Sequence, residues 1–346
     1  MYEVEKISAG LINEAVGFFA SDIHLVPIDQ AWLIQLRING KLYDFKQIPL
    51  ILGDRLMGHL KYTCGMDIGE RRLPQSNSMT IEVKQRLYNL RLSTLPTRSK
   101  ESLAIRILPQ SSAQPLSTLP VLYSNRSTLN NITALPYGLC LIAGPTGSGK
   151  TTTLYALLDD ILLKHHKKII TIEDPVERSL HSLIQIETNE KAGISFEVGL
   201  RAALRHDPDV LMIGEIRDAA SAKLAVRAAL TGHLVFATIH ANNNYSALLR
   251  LREFGVSAHD IKEALQSVAM QYLVNVKSSE GDEGVYFGDV RINKRAALYT
   301  FDNRLHIHQM IESGHTRKLN TLPHQARKAW ALGFIDREEL ERGWKG

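Results

Sequence analysis

Cysteine is scarce in this chain: Cys64 and Cys140 are its only two, far apart in sequence. Two isolated cysteines exclude a disulfide framework and the paired CxxC spacing of a structural zinc site, so no zinc is expected. The lack of disulfide chemistry fits a reducing compartment. No run approaches the about 20 apolar residues that cross a bilayer, and the N-terminus lacks a signal-peptide core. The expected location is the cytoplasm, with peripheral association at the cytoplasmic membrane through a membrane protein. A large excess of one charge is missing as well. The net charge is +5 over 346 residues. There is no basic stripe with interleaved aromatics, which argues against direct nucleic-acid binding. Repeats and low-complexity tracts are also absent. What is present is an ordinary globular composition, 44% hydrophobic and 22% charged, long enough for about two domains.

Periodicity divides the chain. Residues 7–19 read as an amphipathic helix, and residues 32–38 as a strand that turns at Asn39 and Gly40, a hairpin signal. A second helix is expected over 56–64, and strands over 86–93 and 102–108. This first unit, 1–108, is small and α+β. Serine, proline and glutamine then replace the pattern over 109–120, which reads as a linker. From 121 to 346, apolar strands at 138–143, 168–172, 210–213 and 234–238 alternate with helices. Uniformly apolar strands separated by helices predict a parallel sheet covered on both faces, an α/β domain. Residues 278–284, rich in glycine and charge, are expected to be a loop.

One motif carries chemistry by itself. Gly144, Pro145, Thr146, Gly147, Ser148, Gly149, Lys150 and Thr151 spell G-x-x-x-x-G-K-T. An apolar strand precedes them, and a helix follows with Leu154, Leu157, Leu158, Ile161 and Leu162 at helical spacing. Strand, glycine loop and helix together make a phosphate-binding loop, the Walker A pattern. The glycines let backbone amides approach phosphates closely, and the helix N-terminus favours an anion. Lys150 is expected to reach the β- and γ-phosphates of ATP. Thr151, with Thr152 beside it, opens the helix, and the Thr151 hydroxyl is the expected magnesium ligand.

Other candidates follow the ends of the remaining strands, where open α/β sheets place their sites. Glu173, Asp174 and Glu177 follow the second strand, Glu215 the third and His240 the fourth. Any one of these reads equally well as a solvated loop residue; grouped beside a phosphate loop they do not. Magnesium needs a carboxylate, directly or through water, which makes Asp174 and Glu215 candidates. Hydrolysis needs a group that orients or deprotonates water. Glu215 is the first candidate, with Glu177 and Glu173 behind it. His240 suits sensing of the γ-phosphate or holding of a carboxylate.

Four segments together resemble the secretion ATPases of the type II/type IV pilus superfamily. They are the phosphate loop with its threonines Thr151, Thr152 and Thr153; the acidic box, residues 172–177; residues 204–218 around Glu215; and the histidine box, residues 230–242, with His233 and His240. Asp22 and His24 resemble the family's N-terminal entry, Arg37 to Gly40 its hairpin, and residues 333–339 its C-terminal helix. The likeness runs over about residues 8–341. It implies a RecA-like P-loop ATPase domain preceded by a smaller, PAS-like α+β domain, and a homo-hexamer that places ATP between domains of neighbouring subunits. It also implies that Arg91, Arg106, Arg201 and Arg205 supply positive charge near the nucleotide, where guanidinium groups neutralise developing phosphoryl charge.

Large assembly ATPases of the family carry an extra N-terminal domain and a four-cysteine zinc element after the histidine box. No cysteine follows the histidine box here, and the extra N-terminal domain is not expected. Residues 99–102 also depart from the family's glycine-glutamate pair. The short build resembles the compact competence-type pilus assembly ATPases. The implied work is ATP hydrolysis that drives a polytopic inner-membrane platform protein and so adds pilins. A pilus retraction ATPase or a type II secretion ATPase is the alternative, and a nucleotide-dependent scaffold that does not hydrolyse ATP is the alternative of another class.

Overall fold

A computed structural model describes residues 3–98, 100–110, 114–189, 192–277, 285–288, 290–292, 294–314 and 321–342. The chain divides into two units: 1–112 with 281–293, and 113–280 with 294–346.

The first unit runs α1 (Glu3–Gly17), β1 (Ala20–Ile28), β2 (Ala31–Ile38), β3 (Lys41–Pro49), α2 (Leu50–Thr63), β4 (Gln75–Val83), β5 (Arg86–Pro96) and β6 (Glu101–Pro109). Its sheet has the order β3-β2-β1-β6-β5-β4, antiparallel throughout. Along β2, Trp32, Ile34, Leu36 and Ile38 are buried while their neighbours are half-buried. The period of two turns that set toward one core. Asn39 and Gly40, at φ 51° and 82°, make the β2–β3 turn, as a two-residue hairpin of this hand requires. Helix α2 seats on the sheet at Gly53, where an added Cβ would lie 2.0 Å from Trp32 Cδ1. The indole Nε1 donates to Asp54 Oδ1 at 3.0 Å. Around the departure at 99–102, Thr97 N donates to Lys100 O at 2.7 Å and closes the turn; Ser99 lies outside the described residues. Next to it Glu101 forms a buried ion pair with Lys61 at 2.9 Å.

The second unit runs α3 (Tyr123–Thr133), β7 (Gly138–Ala143), α4 (Lys150–His165), β8 (Ile169–Glu173), β9 (Ile184–Glu187), α5 (Phe196–Ala203), β10 (Val210–Ile213), α6 (Ala219–Leu230), β11 (Leu234–Ile239), α7 (Asn244–Glu253), α8 (Ala258–Ala264) and β12 (Leu265–Asn275). After a two-strand excursion, β13 (Val285–Phe287) and β14 (Val290–Ile292), it resumes with β15 (Arg295–Asn303), α9 (Arg304–Ser313), α10 (Leu322–Ala331) and α11 (Arg337–Glu341). The sheet order is β15-β12-β7-β11-β10-β8-β9. Every pair is parallel except β12 with β15.

Strands β7, β10 and β11 are buried at every residue, because helices cover both faces. Leu139, Leu141 and Ala143 of β7 pack in the core that holds Ala222, Ala225 and Leu248. Cys140 and Ile142 point the other way, into the core that holds Leu154, Leu157, Leu158 and Ile161 of α4. This two-sided burial explains why the strands read as apolar runs rather than alternations. Among the described residues no helix is long and apolar enough to cross a membrane.

Two boundaries differ from those read in the sequence. The second half of the presumed linker 109–120 is core. Leu116 and Leu119 are buried beside Leu154 and Leu157, and Leu119 O accepts from Ala297 N at 2.8 Å. Its serines and prolines hid two apolar anchors. The excursion also leaves the second unit: β13 and β14 belong to the first. Phe287 packs at 5.2 Å from Phe18 and 5.3 Å from Tyr43 by ring centroids. Residues 278–284, expected to be a loop, lie outside the described residues.

Candidate active site

The phosphate loop joins β7 to α4. Gly144, Gly147 and Gly149 adopt φ of 156°, 77° and 84°, values that residues with a Cβ avoid. Space is as restrictive as conformation at Gly144, where a Cβ would stand 2.6 Å from Gln271 O and from Ser148 Oγ. Lys150 is buried, and its Nζ donates to Gly144 O at 2.8 Å and Pro145 O at 2.9 Å. Burial pushes its ammonium below the usual lysine range, while the negative charges of Glu215 and Glu177 oppose that shift. Ser148 Oγ is buried without a hydrogen-bond partner. A buried cation resting on carbonyls, an unpartnered hydroxyl and three left-handed glycines form a cradle suited to an anion. A nucleoside triphosphate fits it. Thr151 is half-buried and Thr152 exposed on the first turn of α4, with Pro145 half-buried and Thr146 exposed in the loop.

Parallel register brings three strand ends together. Ile172 of β8 pairs with Ile213 of β10, and Ile213 with Ala237 of β11. Gly214 N donates to Ile172 O, and Thr238 Oγ1 to Gly214 O at 2.6 Å, so the turn after β10 is held from both sides. Out of it projects Glu215. Its Oε1 lies 2.9 Å from His240 Nε2, and its Oε2 accepts from Arg217 Nε at 2.8 Å. Arg217 Nη1 continues to Asp174 Oδ2 at 2.8 Å. His240, Glu215, Arg217 and Asp174 thus form one polar chain across the ends of β11, β10 and β8. The two carboxylates hold the Arg217 guanidinium above the usual arginine range, Glu215 most strongly. Asp218 begins α6: its Oδ1 accepts from Ser221 N at 2.7 Å, and that bond holds its carboxyl below the usual carboxylate range. The metal candidates Asp174 and Glu215 therefore share Arg217. Their carboxylates and the Thr151 hydroxyl are hard oxygen donors of the kind magnesium takes.

Glu173 meets a different fate. It is 2% exposed. Tyr155 OH donates to its Oε2 at 2.5 Å, and Thr171 Oγ1 and Gln185 Nε2 donate to its Oε1 at 2.7 and 3.2 Å. A carboxylate so enclosed, with three donors and almost no exposed surface, is closed to an attacking water. The expectation of a water-activating Glu173 therefore meets a sealed side chain. Glu177 is half-buried and acts electrostatically on Lys150.

The arginines are spread over both units. Arg91 and Arg106 pair directly across β5 and β6 in the first unit, and Arg106 Nε donates to Asp22 Oδ1 at 3.0 Å. Arg201 on α5 pairs with Glu197 one turn back at 2.7 Å. Arg205 lies in the 3₁₀ turn after α5. Sequence reasoning overlooked Arg217, Tyr155 and Gln271. Arg217 was within reach, two residues from Glu215 in the same segment. Gln271 bonds the loop from a strand more than a hundred residues downstream and left no local trace.

The family profile described as "Type II/IV secretion system protein" matches residues 2–331. The competence protein ComGA of Halalkalibacterium halodurans is 42% identical over 345 residues, 99% of each chain. ComGA of Bacillus subtilis is 38% identical over 349 residues, 99% of this chain and 98% of its own. Among solved structures, the pilus retraction motor PilT with bound ADP superposes with a TM-score of 0.70 at 26% identity, covering 96% of each chain. The chain belongs to the type II/IV secretion system protein family and is one of its ATPases.

Proposed function

We propose that this ATPase powers assembly of a type IV pilus or pseudopilus in a competence system. It would act as a homo-hexamer against a polytopic platform protein of the inner membrane, from the cytoplasmic side. The observation that carries hydrolysis is Glu215: partly open, at a strand end, and electrostatically coupled to the buried Lys150 of the phosphate loop. Full-length similarity to ComGA proteins supports the competence system.

In this reading the loop amides and Lys150 bind the phosphates of ATP. Thr151 would hold magnesium, with Asp174 and Glu215 contributing through water; the ion, when bound, offsets charge on the phosphoryl oxygens. Glu215 orients the attacking water and accepts its proton as the water oxygen bonds to the γ-phosphorus and ADP leaves. His240 and Arg217 hold the two oxygens of Glu215 in place. Glu177 adds negative charge near Lys150, and Glu173 fixes α4 to β8. Arg91, Arg106, Arg201 and Arg205 supply positive charge to the assembled site.

Lys150→Ala is expected to abolish ATP turnover, measured as phosphate release, in a protein that melts cooperatively near the parent temperature. Normal turnover by that variant would overturn the assignment. Likeness to a retraction motor favours one second reading, disassembly instead of assembly. Cells lacking the protein would show no pili under the first reading and excess pili under the second.

A further inference from the structure

Gln271 holds the phosphate loop from outside every motif that marks it. It lies on β12, one residue past the last β12–β7 pair, Met270 with Ala143, and directly opposite Tyr299 on β15. It is buried. Its Nε2 donates to Ser148 O at 2.9 Å, and its Oε1 accepts from Thr153 Oγ1 at 2.9 Å. Thr153 Oγ1 also sits 2.7 Å from Tyr299 OH. A threonine hydroxyl has one proton to give. That proton goes to Gln271, so Tyr299 donates to Thr153. The bonds run in one direction, from Tyr299 through Thr153 and Gln271 to the Ser148 carbonyl. A flipped amide would set its oxygen against the Ser148 oxygen, and neither can donate, so the Ser148 carbonyl fixes which way the amide faces.

We propose that Gln271 is a positioning residue that sets the orientation of the Ser148–Gly149 peptide, and through it the loop's affinity for phosphate. In a planar trans peptide the C=O and N–H point in opposite directions. Holding Ser148 O toward β12 therefore turns the Gly149 N–H away from β12, free to meet an anion. The loop cannot enforce this orientation alone. Gly147 and Gly149 are both left-handed, and glycine reaches alternative dihedrals at little cost. The brace also fixes the room available, since a Cβ at Gly149 would stand 3.0 Å from Gln271 Nε2. Gln271 touches no phosphate in this account; it acts through the Gly149 amide. The inference rests on the loop binding the phosphates of ATP.

The test compares KM and kcat for ATP, and Kd for ADP by calorimetry, in Gln271→Leu, Gln271→Glu, Thr153→Val and Lys150→Ala. Gln271→Leu keeps the volume and removes both bonds. It is expected to raise KM and Kd about tenfold, in the range for a lost buried hydrogen bond, with kcat changed less than about threefold. Gln271→Glu still accepts from Thr153 but turns a carboxylate oxygen toward the Ser148 oxygen. Its affinity is expected to be poor at neutral pH and to recover as pH falls and the acid becomes a donor. A residue that merely fills space would give no such profile. Thr153→Val removes the hydroxyl that donates to the Gln271 oxygen and accepts from Tyr299, leaves the Gln271 bond to Ser148 O, and should raise KM about threefold; it decides the matter should Gln271→Leu fail to fold. Parental KM in folded Gln271→Leu or Thr153→Val, with a parental pH profile in Gln271→Glu, overturns the proposal. Retained affinity in Lys150→Ala would instead show that the phosphate-loop reading has failed.

Discussion

The ends of β8 and β10 lie side by side in parallel register, and each presents a glutamate, yet the two are built for opposite work. Glu173 closes β8 as a sealed group whose donors are neutral: a phenol, a hydroxyl and an amide. Burial and the carboxylate beside it push the Tyr155 phenol far above its ordinary range, so it stays a donor. Glu215, two residues past the end of β10, has a side chain 20% exposed, and its partners are the cation Arg217 and the imidazole of His240. Neutral donors in a closed site tie a carboxylate to structure. A cation and an imidazole on an open edge aim it while leaving it accessible. Position at a strand end is therefore insufficient to identify a catalytic acid; the chemistry of its donors separates the two.

The largest expected effect comes from removing the charge at the open end. Glu215→Gln should lower kcat by roughly a hundredfold or more, within the range attributed to a positioned general base. The Kd for ADP should change little, because the loop and Lys150 remain. Single-turnover phosphate release alongside ADP calorimetry measures both. Parental turnover would erase the contrast between the strand ends and move Glu177 ahead of Glu215.

The same substitution at the closed end should do the reverse. Glu173→Gln leaves one oxygen for three donors and sets an NH₂ either against the Tyr155 hydroxyl or against the Thr171 hydroxyl and the Gln185 amide. The cost is about 2 kcal/mol of stability for unsatisfied buried groups, or about 5 °C in melting temperature for a unit of this size. Turnover should stay within about threefold of the parent. A loss of turnover equal to that of Glu215→Gln, without a change in melting, would show that Glu173 acts on the substrate.

These outcomes follow from partners that local pattern conceals. Strand β7, the loop and the start of α4 were legible because phosphate binding needs particular residues at particular spacing, and because buried parallel strands read as apolar runs. Glu215 and His240 were legible as strand-end residues. The sealing of Glu173 was not, since it requires Tyr155 from α4 and Gln185 from β9, and only folding brings these together. Gln271 was hidden for the same reason. Leu116 and Leu119 sat in a stretch whose prolines and serines suggest a linker. Phe287 sits beside Tyr286 in a segment read as part of the second domain, and the ring cluster with Phe18 and Tyr43 places it in the first unit. The sequence was readable where chemistry demands a motif or where burial is uniform. It was silent where one side chain meets another across the sheet.

The smallest effect offers the finest comparison of the two carboxylates. Phosphate binding needs Lys150 as an ammonium. Burial holds its pKa below the ordinary lysine value, and Glu215 and Glu177 pull it back up, because a nearby negative charge favours the charged form. ADP affinity should therefore fall as pH rises through the lowered Lys150 value, before the ordinary range is reached. Stability runs the other way in that window: the unfolded chain binds more protons there than the folded one, so folding gains as pH rises. Opposite slopes for affinity and melting temperature in one alkaline titration thus mark Lys150 rather than general unfolding. Glu215→Gln removes one of the opposing charges, so the falling limb of ADP affinity should move to lower pH. Glu173 is not among the charges acting on Lys150, so Glu173→Gln should leave the limb in place. A limb displaced equally by both variants would mean that the closed carboxylate is felt at the phosphate loop, and that the sealing donors around Glu173 screen it less than its geometry implies.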